Sequence, residues 1–486
     1  MLKSMKIDNF KCFNSETSID FSKLTILSGL NSSGKSSVYQ AFLGLKQSEL
    51  EWHLLEEGIR LPIFTTYGEL LKLGTVEDVF NDLNRPFSFE FELDKKYYNY
   101  CFEIVDKNVI LTKFRFEDRA ADEESYYQVF CDIKNKELLI EAKSILRFTS
   151  YETENALNKY LVENEIIEKE EKKFLSEFVT FQKVKSLNFR NHQLLNFHIP
   201  IEELINCINP LIRNKIDKKH FRDNIEKAFE DEKNVKNVGL YAHGSRLFQS
   251  VIDIEFITPN REIPRRYYET SLQDDDEMGH ILSVASNASK QIDYRHNDGE
   301  IKKGTLLEAI IYWSNYILGI DGVEQEDSIE GIMTSLLITQ DGQKHPINLV
   351  GFGISQSLPI IMKVLGTKYD FCIIDEPEIH LHPQAQIRFA EFFKEMAMLG
   401  KQIIVETHSE YIINYLIHES LITNDKDLVS MYWVKKEGPS SFIDKINWDK
   451  YGFIDNKPEG FSDGMDEIVS KFIDYRMKID SNTWQS

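Results

Sequence analysis

Residues 24–43 read LTILSGLNSSGKSSVYQAFL, a strand, a glycine-containing turn and the start of a helix. An apolar run, Leu24 to Ser28, enters the turn Gly29-Leu30-Asn31-Ser32-Ser33-Gly34-Lys35-Ser36, which satisfies GxxxxGK[ST], and a helical pattern follows at once. Strand, glycine-containing turn and helix in that order are the context a phosphate-binding P-loop requires. The glycines let successive backbone N–H groups turn inward around a phosphate, the lysine ammonium reaches the β/γ oxygens, and the hydroxyl ligates Mg²⁺. Gly29, Gly34, Lys35 and Ser36 supply those parts.

Working outward, the first residues alternate in LKSMKIDNFKCF, a strand signal, and from about Tyr67 to Cys131 short runs such as FSFEFEL and YYNYCFEIV alternate apolar and polar residues, predicting an antiparallel sheet. Asn155 to Lys236 is dense in Glu, Lys, Leu and Ile at helical spacing, interrupted by Pro200 and Pro210, which predicts several helices and no long coiled coil. A long helix is predicted over KKGTLLEAIIYWSNYIL, and the last third alternates strand, turn and helix, the pattern of buried parallel strands in an α/β protein. The segment Asn260 to Tyr268 mixes cations with aromatics as a phosphate or nucleic-acid contact does, but reads first as a solvated loop with local ion pairs, and the run Asp274 to Glu277 reads as solvated too.

Two more motifs carry chemistry. FCIIDE, residues 371–376, is an apolar strand ending in two acids, the Walker B pattern: Asp375 would hold the Mg²⁺ shell, and Glu376 would orient and polarise the attacking water. In QIIVETHS, His408 follows another apolar strand, placed to sense a γ-phosphate. Gly351 and Gly353 permit a tight turn, Ser355 or Ser357 could cap the helix after it, and Pro359 would fall in or near its first turn.

Composition bounds the rest. Lys and Arg total 57 against 79 Asp and Glu, a net charge of −22, which argues against a surface built throughout for nucleic acid and leaves only a local basic groove. With 42% hydrophobic residues the chain can bury a large core. The sequence has neither a long apolar run nor a secretory leader pattern, so a cytoplasmic protein without a membrane span is expected. Five dispersed cysteines fit reduced thiols.

The order P-loop, VGFGISQ, Asp-Glu-Pro-Glu and Glu-Thr-His-Ser resembles ATP-binding-cassette (ABC) ATPases of the Rad50, structural-maintenance (SMC) and RecF type. DEPEIHLHPQAQ and VETHSEYIIN are more similar still to the prokaryotic defence group, namely overcoming-lysogenization-defect ATPases and the ATPase subunits of Septu (PtuA) and PARIS (AriA). The resemblance implies an α/β ABC-type P-loop head, a mixed sheet with helices and an antiparallel β subdomain, carrying a large, partly helical insertion. The expected division is residues 1–140, N-terminal half of the head; 141–300, insertion; 301–425, C-terminal half with signature, Walker B and switch histidine; and 426–486, a small C-terminal domain. It implies ATP and Mg²⁺ as cofactors. Gly29, Asn31, Ser32, Ser33, Gly34, Lys35, Ser36 and Ser37 would cradle the triphosphate. Ser36 and Asp375 would hold the metal, Glu376 and His408 would act in catalysis, and Gly351, Gly353 and Ser355 would form the signature offered to a second head. Two departures stand out. The signature's usual Ser-x-Gly is Gly351-Phe352-Gly353, which leaves open the hydroxyl that completes the second half-site, and no glutamine lies between Gln47 and Gln128 to form a glutamine loop.

The resemblance further implies homodimers or higher homo-oligomers through the heads and an effector partner, an HNH or Toprim nuclease. No Asp-x-Asp metal set is expected after His408, so a nuclease within this chain is disfavoured. Binding of nucleic acid stays open, as does the alternative of a RecF- or SMC-like ATPase that clamps DNA.

Overall fold

In the computed structural model the chain divides into two units, residues 1–19 with 37–253, and residues 20–36 with 254–486. Described with side chains are residues 1–48, 63–117 without 69 and 106, 254–259, 261, 265–268, 291–326, 334–423, 425, 427–455 and 457–461. Further strand residues within 52–62, 118–242 and 269–333 are described by backbone pairing alone.

The alternating sequences of the first unit build antiparallel sheets. Among the described residues eight strands pair in one sheet, in the order Thr17–Asp20, Leu2–Asp8, Phe87–Leu93, Lys96–Val105, Asn108–Asp118, Ser125–Asp132, Glu137–Lys143 and Val179–Gln182. In FSFEFEL the period-two side-chain alternation sends Phe87, Phe89 and Phe91 into the core while Ser88 and Glu90 stay partly exposed. Phe10, Phe64 and Phe102 pack edge-on or tilted against those rings. The predicted first strand stops short of its motif, at Asp8, because Asn9 and Lys11 adopt left-handed φ of 54° and 53°. Asn9 anchors the turn by donating to the carbonyls of Asp82 and Arg85, each at 2.8 Å. The block Asn155 to Lys236, expected to be helical, contains the strands Val179–Gln182, Ser186–Arg190 and Leu194–Pro200. The Glu/Lys-dense run ends before these strands: VTFQ, SLNFR and LLNFHIP contain no Glu or Lys, and apolar residues recur at alternate positions in SLNFR (Leu187, Phe189) and LLNFHIP (Leu195, Phe197, Ile199). The rest of that block and Asp274 to Glu277 lie outside the described residues.

The second unit holds the α/β logic. Its six-stranded sheet runs Ile254–Ile257, Phe371–Asp375, Gln402–Glu406, Leu24–Gly29, Val429–Glu437 and Ser440–Ile446, parallel up to the final antiparallel hairpin. LTILSG and QIIVE are buried at every position, as continuous apolar strands must be when helices cover both faces. Trp313, Phe389, Phe392, Phe393 and Leu416 pack against Ile374, Ile403 and Val405 in one core. The predicted helix at residues 302–318 begins later, at Leu306. Residues Ile301–Thr305 form a strand, and Thr305 then caps Leu306–Leu318 in a capping box with Glu308.

Candidate functional site

Parallel strands present their carboxyl ends on one edge, where ligands of open α/β sheets bind. Here three adjacent ends meet: the strand Leu24–Gly29 runs into the P-loop, Asp375 ends its strand, and the register pairs Asp375 with Glu406 on the neighbour. Glu406 was not singled out from sequence. The signal was present as an acid before Thr-His-Ser, but only strand register shows that it faces the same edge as Asp375.

The P-loop is held tightly. Gly29 has φ of 149°, and a Cβ there would meet the Val434 carbonyl oxygen at 2.2 Å, so only glycine fits. Lys35, 5% exposed, donates through Nζ to the carbonyls of Gly29 (3.2 Å) and Leu30 (3.0 Å) and lies 3.8 Å from Glu406 Oε1. Burial pulls the Lys35 ammonium below its ordinary pKa, although Glu406, Glu376, Asp375 and Glu378 all favour its charge. Ser36 opens the helix with Lys35 and donates its hydroxyl to Glu406 Oε2 at 3.1 Å. Burial, and next the charge of Asp375, push Glu406 above the usual carboxylate range. Asn31 and Ser32 are exposed, Gly34 is half-buried, and Ser37 Oγ accepts from Cys12 Sγ at 3.5 Å.

The acids after the second strand meet the histidine after the third. Glu376 takes a left-handed φ of 46°, and its amide donates to the Glu406 carbonyl at 2.9 Å. His408 Nε2 lies 3.9 Å from Glu376 Oε1, and the His408 amide donates to Glu378 Oε1 at 2.7 Å. Burial and, after it, Lys35 lower the His408 pKa, which favours the neutral imidazole. Burial raises Glu378. A cleft of about 410 Å³ opens beside the loop, walled in part by Gly29, Asn31 and His408.

These residues fit a triphosphate with Mg²⁺. The buried Ser33 hydroxyl has no hydrogen-bond partner among the described residues, and the loop backbone runs into a helix N-terminus, where N–H groups and the helix dipole favour an anion. When bound, the cation supplies neutralisation of phosphate charge.

The signature differs from its expectation. The helix Phe352–Gly366 has Gly351 as N-cap with no side-chain cap. Ser355 turns its hydroxyl back onto the Phe352 carbonyl at 3.0 Å, and Ser357 is buried within the helix. Pro359 falls well inside the helix, beyond its first turn, because the helix starts earlier than either serine. Gly351 is open, while a Cβ on Gly353 would meet the His380 carbonyl oxygen at 2.8 Å. Gln47 binds Thr65 and Leu71 backbone instead of forming a glutamine loop. The residues after His408 do contain one Asp-x-Asp, Asp425 to Asp427, contrary to expectation; Asp425 holds Lys23 at 2.8 Å and also accepts the Asp427 amide. Arg261 is not solvated: it binds the carbonyls of Asp375 and Glu376. No helix among the described residues is long and apolar enough to cross a membrane.

Several known proteins are similar. The OLD nuclease of Thermus scotoductus is 34% identical over 115 residues, 22% of this chain and 22% of that protein. A putative ABC transporter ATP-binding protein of Methanosarcina acetivorans is 24% identical over 132 residues, 27% of this chain and 47% of that one. The chain thus matches less than half the length of either relative. Among solved structures, the SMC head domain from Thermotoga maritima aligns over 92% of this chain and 99% of its own, at 12% identity and a TM-score of 0.32. The Smc head domain bound to the C-terminal domain of ScpA, from Pyrococcus furiosus, aligns over 91% and 96%, at 12% identity and a TM-score of 0.35. A model of the AAA ATPase domain, AAA_15, matches residues 1–413, most of the chain, and with the P-loop and paired acids at the edge of one parallel sheet, this protein belongs to that ATPase family.

Proposed function

We propose that this chain is the ATP-binding and ATP-hydrolysing, ABC-type subunit of a prokaryotic anti-phage defence complex, in which nucleotide-dependent pairing of two heads controls a separate effector nuclease of the HNH or Toprim kind. The observation that carries the ATPase reading is the convergence of Lys35, Ser36, Asp375, Glu376, Glu406 and His408 at adjacent strand ends. In this reading the loop amides, Ser33 and Lys35 hold the triphosphate of the substrate. Ser36 and Asp375 would hold Mg²⁺. Glu376 orients the attacking water and takes its proton, while neutral His408, next to Glu376, would donate to the γ-phosphate. Phosphoryl transfer asks the protein mainly for such positioning.

The defence role rests on the sequence resemblance and on similarity to a protein called OLD nuclease. A net charge of −22 favours a protein partner over a DNA clamp of the RecF or SMC kind. Gly351, Gly353 and the exposed Leu349 and Phe352 form the surface offered to a second head. The test is threefold: ATP turnover by the purified chain, co-purification from its native operon, and phage plating with and without Lys35→Ala. ATP turnover without a co-purifying nuclease, together with tight ATP-dependent DNA binding, would transfer the assignment to the DNA clamp. A chain that neither binds nor hydrolyses ATP would refute both.

A further inference from the structure

The ATPase reading leaves one cation at the site without a task. Arg261, beyond the end of the strand Ile254–Ile257, directs Nη2 at two successive carbonyls of the Walker B turn, Asp375 O at 3.1 Å and Glu376 O at 2.8 Å. Its Nε and Nη1 are buried with no hydrogen-bond partner among the described residues.

We propose that Arg261 is a positioning residue for Glu376: by bonding both carbonyls at the end of the strand it fixes the turn in which Glu376 aims its carboxylate at His408. The inference rests on the ATPase reading of the site and adds a residue to it. Glu376 is a non-glycine residue at φ 46°, a conformation that persists only where the surroundings over-determine it. Its own amide is fixed by the Glu406 carbonyl. Arg261 fixes its carbonyl, so the peptide units on both sides of the strained Cα are held. Charge supports the same role. Asp375, Glu376, Glu378 and Glu406 crowd one strand edge against Lys35, and all four favour the charge of that lysine. Arg261 adds a second cation on the side of the neighbouring strand, attracted first by Glu378 and then by Asp375 and Glu376, while burial opposes its charge. A guanidinium remains protonated against such burial, which an ammonium does less reliably. Glu378 in turn binds the His408 amide, so Arg261 and Glu378 brace the Glu376–His408 pair from opposite ends.

The experiment compares the full chain with Arg261→Met and Arg261→Lys, reading kcat, KM, ATP affinity, melting temperature and hydrogen exchange over residues 371–380. Arg261→Met is expected to lower kcat on the order of 10²-fold, the cost of a displaced reacting group, with ATP affinity unchanged and faster exchange at 375–378. Arg261→Lys, which keeps a cation and N–H donors, should recover part of the rate. Unchanged kcat and exchange in Arg261→Met would overturn the proposal. Parallel losses of kcat, ATP affinity and melting temperature would also overturn it, by reducing Arg261 to a fold contact. Wild-type protein that binds ATP without turnover leaves exchange at 375–378 as the deciding measurement. Wild-type protein that does not bind ATP refutes the ATPase reading, and the exchange comparison still decides whether Arg261 holds the turn.

Discussion

The nucleotide cradle and the signature turn, both in the second unit, are built in opposite ways. The cradle is closed on itself: Lys35 is satisfied by its own loop carbonyls, Ser36 by Glu406, and the His408 backbone amide by Glu378. The signature turn is open: Gly351 has no neighbour within 4 Å of a Cβ, no side chain caps the helix, and Leu349 and Phe352 are 68% and 51% exposed. One region pairs most of its polar groups within the chain, the Ser33 hydroxyl having no partner among the described residues. The other leaves helix N–H groups and apolar surface for something outside it.

The largest expected effect breaks the cradle's chemistry alone. Glu376→Gln should cut ATP turnover by about 10²–10⁴-fold, the usual contribution of a general base, while ATP binding persists. A wild-type rate would move the role to Glu378 or to a residue from a second head. Lys35→Ala comes next: losing a charge-assisted contact worth about 3 kcal/mol should weaken ATP binding about 10²-fold, read by calorimetry. Unaltered affinity would remove the P-loop assignment.

Smaller effects probe the open region. Gly353→Ala gains up to about 1 kcal/mol of helix propensity but drives a Cβ against a backbone oxygen, and overpacking of about 1–3 kcal/mol wins. The variant should melt lower and lose turnover while still binding ATP. Phe352→Glu touches little beyond the His380 ring, so melting should shift within about 0.5 kcal/mol. ATP-dependent self-association, followed by light scattering in the Glu376→Gln background, should nevertheless fall. Persistent pairing would exclude this turn from the interface. The smallest effect is a control on the closed sheet: the Cys372 thiol, wholly buried and pushed up to about 12, should resist alkylation at pH 8 until the protein unfolds.

Residues near in sequence were legible. Gly29 to Ser36, the Asp375–Glu376 strand end and His408 could be placed because each motif is a strand followed by its own turn. Ser355 was misread as a possible cap because helix starts are set by only a residue or two, and the helix begins at Phe352. The helical reading of Asn155 to Lys236 extended the Glu/Lys pattern of residues 160–179 over Leu194–Pro200, a strand whose partner Asn237–Ala242 lies far along the chain. Arg261 sat in a segment whose prolines and arginines look solvated, and nothing local pointed to the carbonyls it binds.

By itself the sequence determined the P-loop conformation, the buried character of the parallel strands and the acidic balance, because these follow from local backbone preference, apolar periodicity and counting. Tertiary structure alone decided which charges face one another. Parallel pairing sets Asp375 against Glu406, and the outer strand delivers Arg261 to the turn of Glu376. Strand register is chosen by packing among residues more than a hundred positions apart in the chain, such as Ile254 and Phe371, so no local pattern could reveal those contacts.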